Sequence, residues 1–412
     1  MLNRSFNYIK TLLKWIALAL ITGLLGGVIG SVFHKCITYV TNVRMQNTWV
    51  IYLLPIGGII IALMYTILAP KGKIDTNRVI RSAGGDEKIP IVMIPLVFVS
   101  TVVTHFLGGS AGREGAALQL GGCMGYNFGK MFKFKSDNMH TVVMAGMSSV
   151  FAALFGTPVT AAIFSVEVIS VGIMHYSSLV PCLISSVVAY GVSQAFGIAP
   201  EVFDFVAFND ISSMVVIKAI ILAVLCAVIS IAFCSSIKLS EKYMKKLMPN
   251  IYIRAAVGGL VIIALTFIVG SYDYNGAGMD VVERAMHGNA KPEAFALKIL
   301  FTDITVVAGF NGGEIVPSFF IGSTFGCIVG GLMGLNPGFG AAIGFVALFC
   351  GVVNCPVASM MLSVEIFGTQ AFAVFAIVCA VSYMMSGRYG IYNSQKIIFS
   401  KTSETYINKY TN

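Results

Sequence analysis

The chain is poor in charge. Only 11% of its 412 residues are Asp, Glu, Lys or Arg, and 57% are hydrophobic. Soluble domains carry about 25% charged residues, so an ordinary water-soluble globule is excluded. No polar stretch is long enough to form a second domain of about 50 residues. The nine cysteines include no CxxC pair, and no histidines stand near them at zinc spacing. They read as small reduced hydrophobes within apolar runs, not as metal ligands or disulfides. The five histidines, His34, His105, His140, His175 and His287, form neither HExxH nor an i, i+4 pair. No metal site and no cofactor are therefore expected.

What remains is a membrane protein, expected at the cell membrane with many passes. Apolar runs fill roughly 15–40, 49–69, 89–107, 141–171, 176–198, 212–237, 252–270, 294–310, 318–353 and 356–385. Many are too short, or too broken by Gly and Pro, to be simple spans of about 20 residues. The first run follows Arg4, Lys10 and Lys14 and has the length of a span, not of a cleavable signal. The net charge of +9 gathers at the ends of apolar runs: residues 4–14, 130–135, 238–246 and 396–409. That pattern fits the positive-inside rule and anionic lipid headgroups, not nucleic acid. An acidic connector with Glu201, Asp204 and Asp210 fits the opposite side; the basic group at 130–135 has no evident place. Forty-three glycines, as in GLLGGVIG at 23–30, suggest close helix packing. Irregular backbone at membrane depth survives only where protein or a water-lined cavity covers it. The expected fold is all-α: a polytopic bundle of tilted and broken helices forming one transmembrane transport domain, 1–412.

Two glycine-framed stretches each carry a glutamate in apolar surroundings: GSAGREGAALQLGG around Glu114 and GFNGGEIVPSFFIG around Glu314. Each reads as a tight turn opening a helix. A helix start offers free N–H groups and the positive end of the helix dipole, which suits an anion. A carboxylate there competes with the anion and carries a proton when it leaves. The stretches belong to an internal repeat. ALFGTPVTAAIFSVEVI at 153–169 matches FCGVVNCPVASMMLSVEIF at 349–367, pairing Pro158 with Pro356, Ser165 with Ser363 and Glu167 with Glu365. Upstream, aligning Gly121 with Gly322 sets Arg113 opposite Glu314. Repeat one spans about 15–200 and repeat two about 211–395, with the site between them and a seam near 200–210.

At these residues the chain resembles the CLC family of chloride channels and anion/proton antiporters. GREGA at 112–116 looks like the family's GREGP motif, and GGEIVP at 312–317 looks like its GGxFxP motif. TPVTAAIFSVEV resembles the helix that follows, and Tyr392 falls where the family keeps a pore tyrosine. The resemblance covers essentially the whole chain. It implies inverted repeats and a homodimer with one pathway per subunit; the cytoplasmic regulatory pair found in many eukaryotic members is not expected after Asn412. Glu314, in place of the usual apolar residue, is similar to the bacterial fluoride/proton antiporter branch. Val168 agrees, since chloride/proton exchangers place an internal proton-transfer glutamate there. Two departures bear on substrate: KGKIDTN at 71–77 lacks the serine of the family's first anion motif, and Val316 is apolar where some fluoride-branch members have threonine.

The expected partners are fluoride, with chloride as the alternative, together with protons and membrane lipid. Glu114 is expected to gate and carry the proton, and Glu314 to relay protons or handle fluoride or HF directly. Gly112, Gly115, Gly312 and Gly313 would let backbone N–H groups approach an anion. Ile315 and Val316 would contribute N–H groups, and Tyr392 a phenol donor. Arg113 is expected to pair with a buried acid, and Glu167 and Glu365 to bond exposed N–H groups of a neighbouring segment. The alternatives are a chloride/proton antiporter, a passive anion channel and, from another class, an intramembrane serine hydrolase. The last rests on GGSAG at 108–112, a GxSxG match without the sheet that a nucleophile elbow needs.

Overall fold

The computed structural model describes residues 2–69, 75–83, 87–203 and 212–412. Residues 70–74, in the divergent first-motif segment, and 204–211, with Asp204 and Asp210 of the acidic connector, lie outside the described residues. The first half contains α1 (Leu2–Gln46), α2 (Leu54–Leu68), α3 (Thr76–Ala83), α4 (Met93–Leu107), α5 (Glu114–Met131), α6 (Ser136–Phe155), α7 (Pro158–Glu167) and α8 (Leu179–Ala195). The second contains α9 (Ser213–Leu247), α10 (Ile251–Val269), α11 (Met279–Met286), α12 (Ala294–Ala308), α13 (Ile315–Leu332), α14 (Pro337–Val353), α15 (Pro356–Phe367) and α16 (Phe372–Met385). Element for element, the second half repeats the first.

Local chemistry sets the breaks. The apolar run 141–171 is cut at Gly156, which ends α6 in the left-handed conformation, and Pro158 then opens α7. Pro356 opens α15 in the same way. Pro fits the first helical turn, where no N–H is needed. Asn336 caps α14 by accepting from the N–H groups of Gly338 and Phe339. Among the described residues, seven helical segments are long and apolar enough to cross a membrane.

The repeats are inverted. α1 begins near the basic turn after α5, where Lys14 Nζ lies 4.8 Å from the Phe134 ring centroid, and its far end delivers Arg44 to a cavity on the opposite side. Its counterpart α9 runs the other way and brings Lys245, near its C-terminus, to a second cavity. The Lys130, Lys133 and Lys135 group, which had no place in the sequence, thus lies with the basic start of α1.

The same symmetry appears at α7 and α15. Glu167, at the end of α7, accepts from Val357 N (3.1 Å) and Ala358 N (2.8 Å) in the first turn of α15. Glu365, near the end of α15, accepts from Val159 N (2.9 Å) and Thr160 N (2.8 Å) in the first turn of α7. Each carboxylate serves donors that have no partner within their own helix and gains from the positive dipole end. Both glutamates are structural, as their matched positions suggested.

Three features were not read from the sequence. α3 and α11 are eight-residue amphipathic helices that fell between the apolar runs. The C-terminal tail is extended: β1 (Ser170–Val171) pairs parallel with β2 (Lys396–Phe399), which pairs antiparallel with β3 (Tyr406–Tyr410). Its lysines and tyrosines stand within this small polar sheet, where hydropathy carries no signal. The bundle is helical, and the sheet fastens its last segment.

Glu167 is 6% exposed, whereas Glu365 is only half-buried. Removing a charged acceptor from buried N–H groups costs about 2–3 kcal/mol. Glu167→Gln should therefore lower the melting temperature of the detergent-solubilised protein clearly more than Glu365→Gln. Equal melting of E167Q and wild type would show that the clamp does not hold the repeats together.

Candidate functional site

The two glycine turns meet at the centre of the bundle. Gly112 N donates to Gly313 O and Gly313 N donates to Gly112 O, both at 2.7 Å. This isolated antiparallel bridge joins the halves immediately before α5 and α13. Arg113 is the N-cap of α5 and Glu314 the N-cap of α13. The alignment that set Arg113 opposite Glu314 is the one the fold uses.

Close approach requires glycine here. A Cβ on Gly313 would lie 2.5 Å from Gly115 N, and one on Gly115 would lie 2.9 Å from Gly313 Cα. The roles expected of Gly112 and Gly313 need correction: each N–H donates to the other's carbonyl oxygen and does not face an anion in this conformation. The donors left over are in the first turns of the helices, from Gly115 in α5 and from Ile315 and Val316 in α13.

Glu114 stands beside this bridge and is 0% exposed. Among the described residues neither carboxylate oxygen has a partner at hydrogen-bond geometry; Arg113 Nε lies 3.7 Å away. Burying a carboxylate with so little compensation is costly and marks a functional group. Arg113 is held in turn by Glu201, with Nη2 to Oε1 at 2.5 Å. The acid expected for Arg113 is therefore in the connector between the repeats.

Two cavities reach the glycine turns. One cavity, of about 460 Å³, is lined by Arg44, His105, Arg113, Glu201, Asp273 and Asp280 among others. The second, of about 550 Å³, is lined by Asp75, Gln119, Arg254, Asn311, Glu314 and Tyr392 among others. Glu114 lines neither: its neighbour Arg113 lines the first, and Gly312 and Glu314 line the second. The ends of helices carrying the lysine clusters lie on the side of the second cavity, which the positive-inside rule makes the cytoplasmic one.

The structure thus brings Glu314 and Tyr392 to one inner cavity. Tyr392 is 2% exposed and its hydroxyl has no hydrogen-bond partner among the described residues. Asn311 donates to the Ser100 and Thr101 hydroxyls at 2.8 and 3.3 Å and fixes the turn before Glu314. From the divergent first-motif segment, Thr76 is described: its hydroxyl receives Gln119 Nε2 at 3.1 Å. Val168 is buried, and its carbonyl accepts from Gln395. Ser110 has no catalytic partner among the described residues. Its hydroxyl faces Thr302 (3.2 Å) and its N–H bonds Thr305 (3.0 Å).

Several contributors escaped the sequence reading. Lys298 is 0% exposed within α12 and donates to Tyr274 O (3.2 Å) and Gly276 O (2.7 Å). Asn275 donates to Gly108 O at 3.0 Å, so this outer loop is tied to the first glycine turn. A lysine in an apolar run was the available signal for Lys298. Nothing in the sequence distinguished Asn275 or Gln119 from other polar residues.

Fold and site together define a membrane transport protein of inverted repeats built around paired helix starts. The family model for voltage gated chloride channels matches residues 69–387, and the chain belongs to that family. It is 32% identical over 395 residues to the "Chloride/fluoride channel protein" of Pseudomonas syringae pv. tomato, covering 94% of this chain and 87% of that one. The crystal structure of a CLC-type fluoride/proton antiporter superposes with a TM-score of 0.89 at 30% identity, covering 93% of this chain and 98% of that chain. A slow cyanobacterial Cl−/H+ antiporter shares the fold, with a TM-score of 0.77 at 18% identity, covering 90% and 94% of the two chains.

Gly191, by contrast, has nothing within 4 Å of an added Cβ. Gly313→Ala should lower the melting temperature by several degrees, as overpacking costs about 1–3 kcal/mol, whereas Gly191→Ala should leave it nearly unchanged. Matching melts for G313A and G191A would remove the bridge as a constraint on the fold.

Proposed function

We propose that this protein exports fluoride in exchange for protons. The observation that carries the reading is Glu114: a fully enclosed carboxylate at the paired helix starts, with a cavity on either side. Glu314 and Tyr392 on the cytoplasmic side support it, as does the 30%-identical fluoride/proton antiporter.

HF crosses membranes as a neutral weak acid and ionises inside, so fluoride accumulates in cells. A carrier that admits protons down their gradient can drive the anion out. Fluoride is small and strongly hydrated, and its water must be replaced by close donors. The first-turn N–H groups of α5 and α13 supply a fixed set, which costs no reorganisation when the anion arrives. The Tyr392 hydroxyl supplies another donor. Glu314, when protonated, donates a hydrogen bond to the anion or passes it the proton.

Glu114 enforces exchange. Ionised, it competes with fluoride for the helix-start donors; protonated, it loses that attraction and withdraws. The Arg113–Glu201 pair sits between it and the outer cavity and holds the outer side of the gate. Coupling follows because the anion occupies the site only when Glu114 has left it, and Glu114 leaves only with a proton. In the family arrangement this pathway is present once in each subunit of a homodimer in the cell membrane.

Purified protein in liposomes should move protons when a fluoride gradient is imposed, and do so weakly with chloride. Equal coupling with chloride would make it a chloride/proton antiporter, and anion flux without protons a channel. Glu114→Gln, fixed in the neutral state, should abolish proton coupling; retained pH-driven exchange would end the gating assignment. Glu314→Ala should reduce fluoride exchange at least tenfold (about 1.4 kcal/mol) while assembling normally. Failure of E314A to assemble would give Glu314 a structural role instead.

A further inference from the structure

Arg254 is the feature of the inner cavity that the pathway above does not use. It lies in the first turn of α10 and is 8% exposed. Its Nη1 donates to Met248 O at 3.1 Å, while its Nε has no partner among the described residues. A buried charge is ordinarily paired with an opposite one, because desolvation costs several kcal/mol per ion. Among the described residues no carboxylate pairs with Arg254. The other cation of this cavity, Lys245, is held by Glu241 at 2.7 Å. Asp75, also in the wall, accepts from Arg78 N at 3.0 Å.

A guanidinium stays charged at every physiological pH, and its spare donors can grip an anion. The nearby N-terminus of α10 adds the positive end of a 19-residue helix. Arg254 shares its cavity with Glu314 and Tyr392, so an anion held by it stands on the route to the paired helix starts. It is not part of either glycine motif.

We infer that Arg254 forms a cytoplasmic capture site for a small inorganic anion, where fluoride is first stripped of part of its water before it reaches Glu314. The inference rests on the proposed function for the identity of the anion. Capture here raises the local fluoride concentration but takes no part in proton exchange. Its loss therefore changes the concentration dependence of transport more than the maximal rate.

The test is the initial rate of fluoride-driven proton transport in neutral-lipid vesicles, as fluoride is varied, for wild type, Arg254→Gln and Arg254→Lys. R254Q should raise the half-saturating fluoride concentration about tenfold with a maximal rate within about twofold, and R254K should stay within about threefold of wild type. An unchanged half-saturating concentration in R254Q would overturn the inference. So would a shift appearing only when anionic lipid is added, which would assign Arg254 to a phosphate headgroup. A second reading uses wild type alone, and so survives a variant that fails to fold or a protein that moves no protons with fluoride. Reaction of Arg254 with phenylglyoxal, followed by peptide mass, should slow when fluoride is added. Modification at a rate indifferent to fluoride would overturn the site whatever the transport assay gives.

Discussion

Everything in the molecule is organised around two hydrogen bonds. The mutual bonds between Gly112 and Gly313 force two helix starts from opposite halves to within backbone contact at the centre of the bundle. Inside a membrane a backbone donor left unpaired is costly, and these turns satisfy each other where neither has a helix to do so. The consequence is electrostatic. Two positive dipole ends are held side by side, each with first-turn N–H groups still unused. Such an arrangement is repulsive until something negative enters it. Glu114 is the protein's own candidate and the transported anion the competing one.

The rest of the fold serves to hold that arrangement. α7 and α15 are bound to each other by Glu167 and Glu365, whose carboxylates neutralise a second pair of helix starts. There the negative charge belongs to the protein and stays. At the Gly112–Gly313 bridge the proposed function makes it exchangeable. In that reading one device, a carboxylate against a helix start, serves in a permanent and a mobile form. What separates the two is hydrogen bonding: Glu167 and Glu365 have their donors, and among the described residues the oxygens of Glu114 do not.

Much of this was legible in the sequence because the membrane leaves few solutions. Low charge and broken apolar runs specified a helical membrane bundle, the matched SVE segments a repeat, and the family resemblance its inversion; intramembrane carboxylates singled out Glu114 and Glu314 as candidates. The repeat register predicted that Arg113 and Glu314 would occupy equivalent places, and both are N-caps. What escaped was information carried by neighbours in space. That Gly112 and Gly313 use up each other's N–H groups depends on a contact between residues remote in sequence. Glu201 as the partner of Arg113, and Asn275 as a tie to Gly108, are likewise long-range pairings between unremarkable polar residues. The small sheet of the C-terminal tail was hidden because its strands are short and its lysines and tyrosines resemble an interfacial belt.

The two cavities flanking Glu114 have a further effect. On the proposed pathway water enters both, which would carry the potential of each compartment inward and make the membrane voltage drop mainly across the segment of Gly112, Gly313 and Glu114. A charge shifted a few ångströms there experiences most of the field, worth about 2.3 kcal/mol per elementary charge for each 100 mV. The swing proposed for Glu114 is then short in distance but a large crossing in voltage. In that reading membrane potential acts on Glu114 itself as well as on the ions that pass it.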